Sequence, residues 1–299
     1  MTWYIWAFLS MIASSLENII DKVIIIKKPG NVDILCAMFF RNLGFFVCIV
    51  LIGLTGLIGK MSFVFNIPIL ILVIVYPAVS FSYDHFLRNY EVSRFSSILH
   101  ILPLFFLFFD NLFFHYSYSL IQLIGIFLLV FGSLLFSYNI KKNKSAFSWK
   151  GILLLFAFLV VEIYLYIIFK ITSETINGVS FFASVWSMMM IEYVLLLIIT
   201  KKYKKLQVTA TSNGFLLNTF IAKSFDSLSS VFYMQALSVA TLTAVSAFIS
   251  LSPLVMLVIL LCIYFLTNIK ISEDFSQETL TLKIFATIIL ILGSLFMFM

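Results

Sequence analysis

Residues 119–138 read SLIQLIGIFLLVFGSLLFSY, a run without a charged side chain. A helix of about 20 residues rises about 30 Å, the thickness of the hydrocarbon core of a bilayer. Because backbone polar groups in lipid need partners within their own segment, such a run predicts a transmembrane helix. Comparable runs recur along the 299-residue chain, separated by polar breaks such as KKYKK at 201–205. We predict ten spans, at residues 3–20, 34–54, 67–86, 95–114, 119–138, 151–170, 179–199, 213–235, 242–267 and 280–298.

The composition indicates the same fold class, an all-α membrane protein whose main surroundings are the lipid bilayer. Hydrophobic residues make up 63% of the chain and charged residues 11%. In a typical soluble domain about a quarter of the residues are charged. The polar stretches between the apolar runs are too short to hold a soluble domain.

Charge and cysteine content narrow the function classes. The net charge is +6, but the lysines sit in connecting loops beside lipid headgroups, and no groove of arginines and aromatics accompanies them. A nucleic-acid partner is therefore not indicated. Cys36, Cys48 and Cys262 lie in apolar runs without CxxC or histidine spacing, which argues against a disulfide framework and a metal site. No HExxH, GxSxG or P-loop motif is present, so we expect neither an enzyme nor a cofactor.

An internal repeat divides the chain into two halves. Residues 93–103 read SRFSSILHILP and residues 243–253 read TAVSAFISLSP, each with small hydroxyl residues on one helical face and a proline at its end. The last span of each half carries a Gly-Ser pair, beginning at Gly132 and Gly293. Five spans per half is an odd number, so the two halves would sit in opposite orientations, a construction typical of secondary transporters. We predict a first five-helix half at 1–140, a basic linker at 141–150 and a second half at 151–299.

Taken together, these features resemble the drug/metabolite transporter superfamily, and its EamA-like ten-helix branch in particular. The resemblance covers essentially the whole chain. It rests on Trp3 and Trp6 at the start of the first span, FFRN at 39–42 in the second, and the hydroxyl-rich faces that end at Pro103 and Pro253. It implies two inverted five-helix repeats around a central solute cavity.

Two signals give different orientations. Lysine and arginine concentrate in the odd-numbered connections, whereas the even-numbered ones hold Lys60 alone. By the positive-inside tendency the odd connections are cytoplasmic and both termini face outward. The family resemblance instead implies that both termini face inward.

Charged residues within the spans are the main candidates for a site, because ionisable groups in lipid usually face a cavity or a partner. Lys223 and Asp226 are three residues apart on one face of the eighth span and can pair. They predict either a substrate-binding site, with Asp226 also available for proton coupling, or an internal salt bridge that holds helices together. Glu162, near the centre of the sixth span, is a second proton-coupling candidate. A carboxyl group desolvated there favours its neutral form, and its alternative role is a structural hydrogen bond.

Four further residues are substrate-binding candidates. Arg41 in the second span could bind an anionic group of the solute, snorkel to the headgroups, or pair with Glu192 or Glu17. His100 and Ser97 lie on the hydroxyl-rich face of the fourth span, and Ser250 matches His100 in the second half. These three would either hydrogen-bond the solute or allow close helix packing. The acidic residues Glu17 and Asp21, at the end of the first span, predict a gate or a solvated interface.

The function that these features predict is secondary transport by alternating access. The mixed charges suit a small polar or zwitterionic solute, such as an amino-acid-like metabolite, moved with protons or by exchange. Two other functions stay open: a flippase for a lipid-linked substrate, and a membrane scaffold that transports nothing. A bacterial inner membrane is the expected location.

Overall fold

The structure is a computed structural model that describes residues 3–26, 33–56, 61–89, 101–136, 138, 149–173, 175–211, 214–266 and 277–297. Within these residues every regular element is a helix. The helices of the first half are α1 (Trp3–Ile26), α2 (Ile34–Thr55), α3 (Ile67–Asn89), α4 (Leu102–Phe114) and α5 (Leu120–Phe136). Those of the second half are α6 (Trp149–Ser173), α7 (Gly178–Ile199), α8 (Leu206–Ala210), α9 (Phe215–Leu237), α10 (Leu242–Ile249), α11 (Ser252–Leu266) and α12 (Gln277–Met297).

Three segments of the described chain are long and apolar enough to cross a membrane. They are Ile34–Thr55, Gly178–Ile199 and Leu242–Cys262. Shorter apolar helices of 10–17 residues are Ile67–Tyr83, Leu102–Phe114, Leu120–Phe136 and Thr281–Met297. The prediction of an all-helical protein is thus confirmed, and an integral membrane protein is compatible with it. The remaining long helices, α1, α6 and α9, carry charged residues in their interiors.

Local signals place the helix ends. Asp33, Asn177 and Thr241 are extended N-cap residues whose side chains accept backbone N–H groups of α2, α7 and α10. Gly56 ends α2 with φ of 66°, a left-handed conformation that glycine adopts without steric cost. Most helix ends fall within a few residues of the predicted span ends. Residues 95–100 of the fourth predicted span lie outside the described residues.

The ninth predicted span, 242–267, is divided into α10 and α11 at Ser250 and Leu251. Pro253 causes the break, because it has no N–H to donate to the carbonyl of Ile249. The hydroxyl of Ser252 donates to that carbonyl instead, at 2.5 Å. The backbone N–H of Leu251 turns back to the carbonyl of Phe248 at 3.1 Å. The result is a bend in the middle of an apolar segment.

Each helix of the first half packs mainly against helices of the second half. The most extensive contacts are those of α1 with α9, α5 with α12, α2 with both α7 and α9, and α3 with α6, followed by those of α4 with α10 and α1 with α11. At the α5–α12 crossing the backbones touch at two glycines. A Cβ atom at Gly125 would lie 2.8 Å from the Gly293 carbonyl oxygen, and one at Gly293 would lie 2.9 Å from that of Gly125. This approach is possible only where side chains are absent.

Asp33 joins the start of α2 to the short 3₁₀ helix Lys202–Lys205 that follows α7. Its carboxylate accepts the Leu35 N–H at 3.0 Å and lies 3.3 Å from Lys202 Nζ and 3.5 Å from Lys205 Nζ. Partial burial raises the pKa of this carboxyl, but the hydrogen bonds from Lys202 and Leu35 outweigh burial and hold the pKa below its usual value. A depressed pKa means that the charged form stabilises the folded state above the unfolded pKa.

We therefore expect Asp33→Asn, which keeps an N-cap side chain but removes the charge, to lower the melting temperature slightly at pH 7. The cost should be below about 1 kcal/mol, since both lysines are partly exposed. The difference from the wild type should shrink below about pH 4, as Asp33 itself becomes protonated. Asp33→Ala also removes the cap and should cost about 1 kcal/mol more at every pH. A pH-independent gap between wild type and Asp33→Asn would refute the role of charge.

Candidate functional site

A cavity of about 290 Å³ lies between the helices. Side chains of α1–α4, α6, α7 and α9–α11 line it, and no described residue of α5 or α12 does. The bend between α10 and α11 reaches it through Ser246, Ile249, Ser252 and Met256. Among the residues that the structure describes, the charged members of the lining are Glu17, Arg41, Glu162, Lys223 and Asp226.

Lys223 is the centre of a charge cluster that joins α1 and α9. Its Nζ donates to Glu17 Oε1 at 2.6 Å and to Asp226 Oδ2 at 2.7 Å, and it lies 3.7 Å from Asp21 Oδ2. The Lys223 side chain is 10% exposed and that of Asp226 is 29% exposed. Asp226 is therefore the more exposed partner of this pair, and it lines the cavity.

Arg41 extends the cluster to α2 and α3. Its guanidinium forms an ion pair with Asp21, whose side chain is buried. The same guanidinium lies over the ring of Tyr83, 5.4 Å from the centroid. The Tyr83 hydroxyl donates to Asn18 Oδ1 at 3.0 Å, so α1, α2 and α3 are linked through polar side chains.

Small residues bring these helices close enough for the ion pairs to form. Ser10 on α1 and Ser229 on α9 lie with their hydroxyls 3.1 Å apart, and the Ser229 hydroxyl donates to the Ser10 carbonyl at 3.0 Å. Gly44 on α2 faces α9, where an added Cβ would lie 3.4 Å from Lys223 Cβ. The stem of Lys223 thus packs against a glycine, which leaves room for its ammonium group to reach across to α1.

Aromatic rings form a large part of the remaining wall. Phe45 stacks on Trp186 with centroids 4.2 Å apart, and Tyr76 meets Trp186 edge-on at 5.4 Å. Tyr166 and Tyr233 lie 5.0 Å apart on α6 and α9. Glu162, one turn before Tyr166 on the same face of α6, lines the cavity among these rings.

Among the side chains that the structure describes, the balance of formal charge around the cavity is negative. Carboxyl groups come from Glu17, Asp21, Asp226 and Glu162, whereas the cations are Arg41 and Lys223. Another buried lysine, Lys170, is not in the lining and donates to the carbonyls of Leu237 and Ala240 at 2.7 and 2.8 Å. While these carboxyl groups are ionised, this charge balance favours a positively charged ligand in the cavity.

Most of the residues predicted from sequence come together here. Lys223, Asp226, Arg41 and Glu162 line one cavity, and the predicted Lys223–Asp226 pair is present. Ser250 is buried away from the lining, with its hydroxyl donating to the Ser246 carbonyl at 3.1 Å. Its neighbour Ser246 lies in the lining instead. Ser97 and His100 lie outside the described residues.

The sequence led us to predict that Glu17 and Asp21 form a gate or a solvated interface at the end of the first span. Both belong to the central charge cluster, as the partners of Lys223 and Arg41. The signal was present, since two carboxylates four residues apart share one face of α1. Their partners are up to 206 positions away in sequence, so no local pattern could identify them.

Asp110 is a further buried carboxylate, which the sequence did not lead us to assign to a site. Its Oδ2 accepts the Tyr118 hydroxyl and the Thr243 backbone N–H, both at 2.8 Å. It thereby fastens α4 to the N-terminus of α10, where the helix dipole favours a negative charge. A single aspartate within the apolar run LPLFFLFFDNLFF was the available signal.

Among the described residues, no group of three or more His, Cys, Asp or Glu side chains is arranged to hold a metal ion. The clustered carboxylates on α1 and α9 are instead joined to Lys223 and Arg41. The polar chemistry that the cavity offers is thus ion pairing and hydrogen bonding with charged and aromatic side chains.

Comparison with known proteins gives a fold but no family. No family model matches the sequence, and no curated protein matches it. A solved structure described as "Crystal structure of protein" is similar over 98% of this chain and 95% of its own length, with a TM-score of 0.68 and 10% identity. The chain is therefore similar in fold to that protein along nearly its whole length.

Proposed function

We propose that this protein is a secondary transporter that moves a small polar or zwitterionic metabolite, such as an amino-acid-like solute, across a membrane by alternating access. The observation that carries the proposal is the cavity between α1, α6 and α9, which contains both signs of charge. In a largely apolar helical protein such groups are costly, so they usually pair with one another, face a cavity, or line a solute or ion path. The proposal assigns the cavity to solute binding rather than to catalysis.

The helix pairing supports ten spans in two inverted halves. The first five predicted spans contain α1–α5, and the second five contain α6, α7, α9, the α10–α11 segment and α12. If each span is replaced by its counterpart in the other half, the α1–α9 pair becomes the α6–α3 pair. The α2–α7 and α5–α12 pairs, and that of α4 with the α10–α11 segment, map onto themselves. This is the pattern of a pseudo-two-fold axis between residues 1–140 and 151–299. It supports our assignment of the chain to the drug/metabolite transporter superfamily. We propose a bacterial inner membrane as its location.

The carboxyl groups of the cavity support coupling to protons. We assign proton coupling to Asp226 and Glu162, because both line the cavity and can be reached when it opens to one side. Loss of one negative charge would weaken the hold on Lys223 or on a bound cation. Proton binding and solute binding would then depend on the same groups, which is the requirement for coupled transport.

The test is a ligand screen followed by transport. Purified protein in detergent is melted against amino acids, polyamines, nucleotides, sugar phosphates and organic cations. A true ligand at 100 times its Kd should stabilise the folded state by about 2.7 kcal/mol. The shift should disappear in Asp226→Asn and persist in Glu192→Gln, which removes a carboxyl on α7 that is not in the cavity lining. Uptake into proteoliposomes should then depend on a pH gradient in the wild type and lose that dependence in Glu162→Gln.

Other results would change the assignment. If no soluble compound shifts the melting temperature, a lipid-linked substrate becomes the better candidate, and vesicles that carry such a lipid are the next probe. If Lys223→Met/Asp226→Asn is as stable as the wild type and leaves the phenotype of the cell unchanged, the cluster is structural and the scaffold function replaces transport.

A further inference from the structure

We infer that residues 201–205, the lysine turn between α7 and α8, bind the headgroup of an anionic phospholipid. The inference goes beyond the proposed function and shares only its membrane setting, since it requires neither transport nor a solute. It follows from the crowded charge of the turn, from the apolar helix faces beside it, and from the helix end close to it.

The lysine turn holds four cations within a short length of chain. α7 ends at Ile199, and the backbone leaves the helix through Lys201 with φ of 55°. Lys202–Lys205 then form a 3₁₀ helix. Four residues of such a helix rise only about 8 Å. Like charges at this spacing repel one another, so the turn favours a bound anion.

Asp33 balances only part of this charge. Its carboxylate lies 3.3 Å from Lys202 Nζ and 3.5 Å from Lys205 Nζ, which fixes the turn to the start of α2. Within the described part of the chain neither Lys201 nor Lys204 forms an ion pair, and both side chains are exposed. The four lysines and Asp33 together carry a net charge of +3. The turn is thus held in place while two of its ammonium groups face outward.

Exposed apolar residues lie on both sides of the lysine turn. Leu195, Ile198 and Ile199 share one face at the end of α7, and Ile199 is 74% exposed. At the start of α9, Leu216 and Leu217 are also exposed. Because α7 and α9 contact each other, both faces lead to the same turn. Cations beside apolar helix faces match the two parts of a phospholipid, its charged headgroup and its acyl chains.

Two further features favour a phosphate group at this level. α8 packs against both the 3₁₀ helix and α9, and α9 begins after Gly214, which has no side chain to cap its first N–H groups. These groups and the helix dipole attract an anion. Tyr203, 48% exposed among the lysines, is a residue type that concentrates at the headgroup level. Clusters of four or more basic residues beside a transmembrane helix are typical sites for anionic lipids.

The experiment titrates the purified full chain in detergent with phosphatidylglycerol and with phosphatidylcholine of the same acyl chains. The melting temperature gives the apparent affinity for each lipid. We expect phosphatidylglycerol to bind at least about tenfold more tightly, because each lysine near the surface adds to the attraction for an anionic lipid. Lys201→Gln/Lys204→Gln should lower the affinity for phosphatidylglycerol about tenfold and leave that for phosphatidylcholine unchanged. Both side chains are exposed, so this variant should fold as the wild type does.

Lys141→Gln/Lys142→Gln is the matched control, because it removes the same charge from the predicted basic linker. Its affinity for phosphatidylglycerol should stay within about twofold of the wild type. An equal loss in the two double variants would mean that binding follows net charge rather than the lysine turn, and would overturn the inference. Equal affinity of the wild type for the two lipids would overturn it as well.

Inorganic phosphate separates a lipid site from a site for a free anion. We expect millimolar phosphate to leave the melting temperature unchanged, since it lacks the acyl chains that cover the apolar faces. A rise in melting temperature with phosphate that disappears in Lys201→Gln/Lys204→Gln would assign the turn to a soluble anion and refute the lipid site.

The proposed function can fail separately from this inference. If phosphatidylglycerol binds with the expected preference but no solute crosses the proteoliposome membrane, the lipid site stands and transport is wrong. If a solute is taken up but the two lipids bind equally, transport stands and the lipid site is wrong.

Discussion

Lys223→Met is expected to lower the stability of the folded protein by about 3 to 5 kcal/mol, the cost of leaving buried charges without their partner. Lys223 donates to Glu17 at 2.6 Å and to Asp226 at 2.7 Å, and its side chain is 10% exposed. Removing its ammonium leaves carboxylates on α1 and α9 facing one another. They must then repel one another, take up protons, or separate the two helices.

The source of this loss can be isolated with matched variants. Lys223→Met/Glu17→Gln removes one carboxylate together with the lysine and should recover part of the lost stability, which a double-mutant cycle measures. Lys170→Met is the control, because the ammonium of Lys170 is buried but donates to neutral backbone carbonyls. It should cost less than Lys223→Met, since the acceptors that it leaves at Leu237 and Ala240 are uncharged carbonyl groups. Melting curves of the wild type, Lys223→Met, Glu17→Gln, the double variant and Lys170→Met in one detergent provide the values.

Two results would contradict this account. A Lys223→Met protein as stable as Lys170→Met would mean that the cluster contributes no more than ordinary hydrogen bonds. A double variant that recovers nothing would mean that the loss comes from the packing of the lysine stem against Gly44 rather than from its charge.

Gly293→Ala is the substitution with the second largest expected effect. An added Cβ at Gly293 would lie 2.8 Å from the Leu129 backbone nitrogen and 2.9 Å from the Gly125 carbonyl oxygen. These are backbone atoms of α5, so no rotation of a side chain relieves the contact, and the two helices must move apart. Alanine favours a helix over glycine by about 1 kcal/mol, but the forced separation should outweigh this gain and cost about 2 kcal/mol net.

Gly132→Ala is the matched control at the same helix pair. There the nearest atoms are Leu290 Cγ at 3.0 Å and Ile289 Cγ2 at 3.1 Å, which belong to side chains that can adjust. Its melting temperature should stay close to that of the wild type. The close backbone contact would be refuted if Gly293→Ala melted at or above the temperature of Gly132→Ala.

Because no described residue of α5 or α12 lines the cavity, the glycine variants also separate stability from function. Folded Gly132→Ala protein should retain the full ligand response of the wild type. The charge-cluster variants should lose both stability and ligand response. The glycine variants thus test the packing of the helices alone, whereas the charge-cluster variants test the ligand site as well.

The sequence by itself determined where helices form and which charged residues within them are candidates for a site. A run such as 119–138 has enough apolar residues to form a helix whatever surrounds it, because the pattern acts within the segment. Lys223 and Asp226 are also local, three residues apart on one helix, so their pairing could be predicted. The break in the ninth predicted span was in reach as well, since Pro253 cannot donate a backbone hydrogen bond.

Only the tertiary structure decided which charges meet. Glu17 and Lys223 are 206 positions apart in the sequence. Arg41 pairs with Asp21, and the sequence could not show which of several carboxyl groups would be its partner. The contact of Gly125 with Gly293 depends in the same way on how two distant helices cross. Helix formation depends on neighbours within a few residues, whereas ion pairing depends on distances between helices. These distances follow from the packing of all the helices together, to which each residue contributes only a small part.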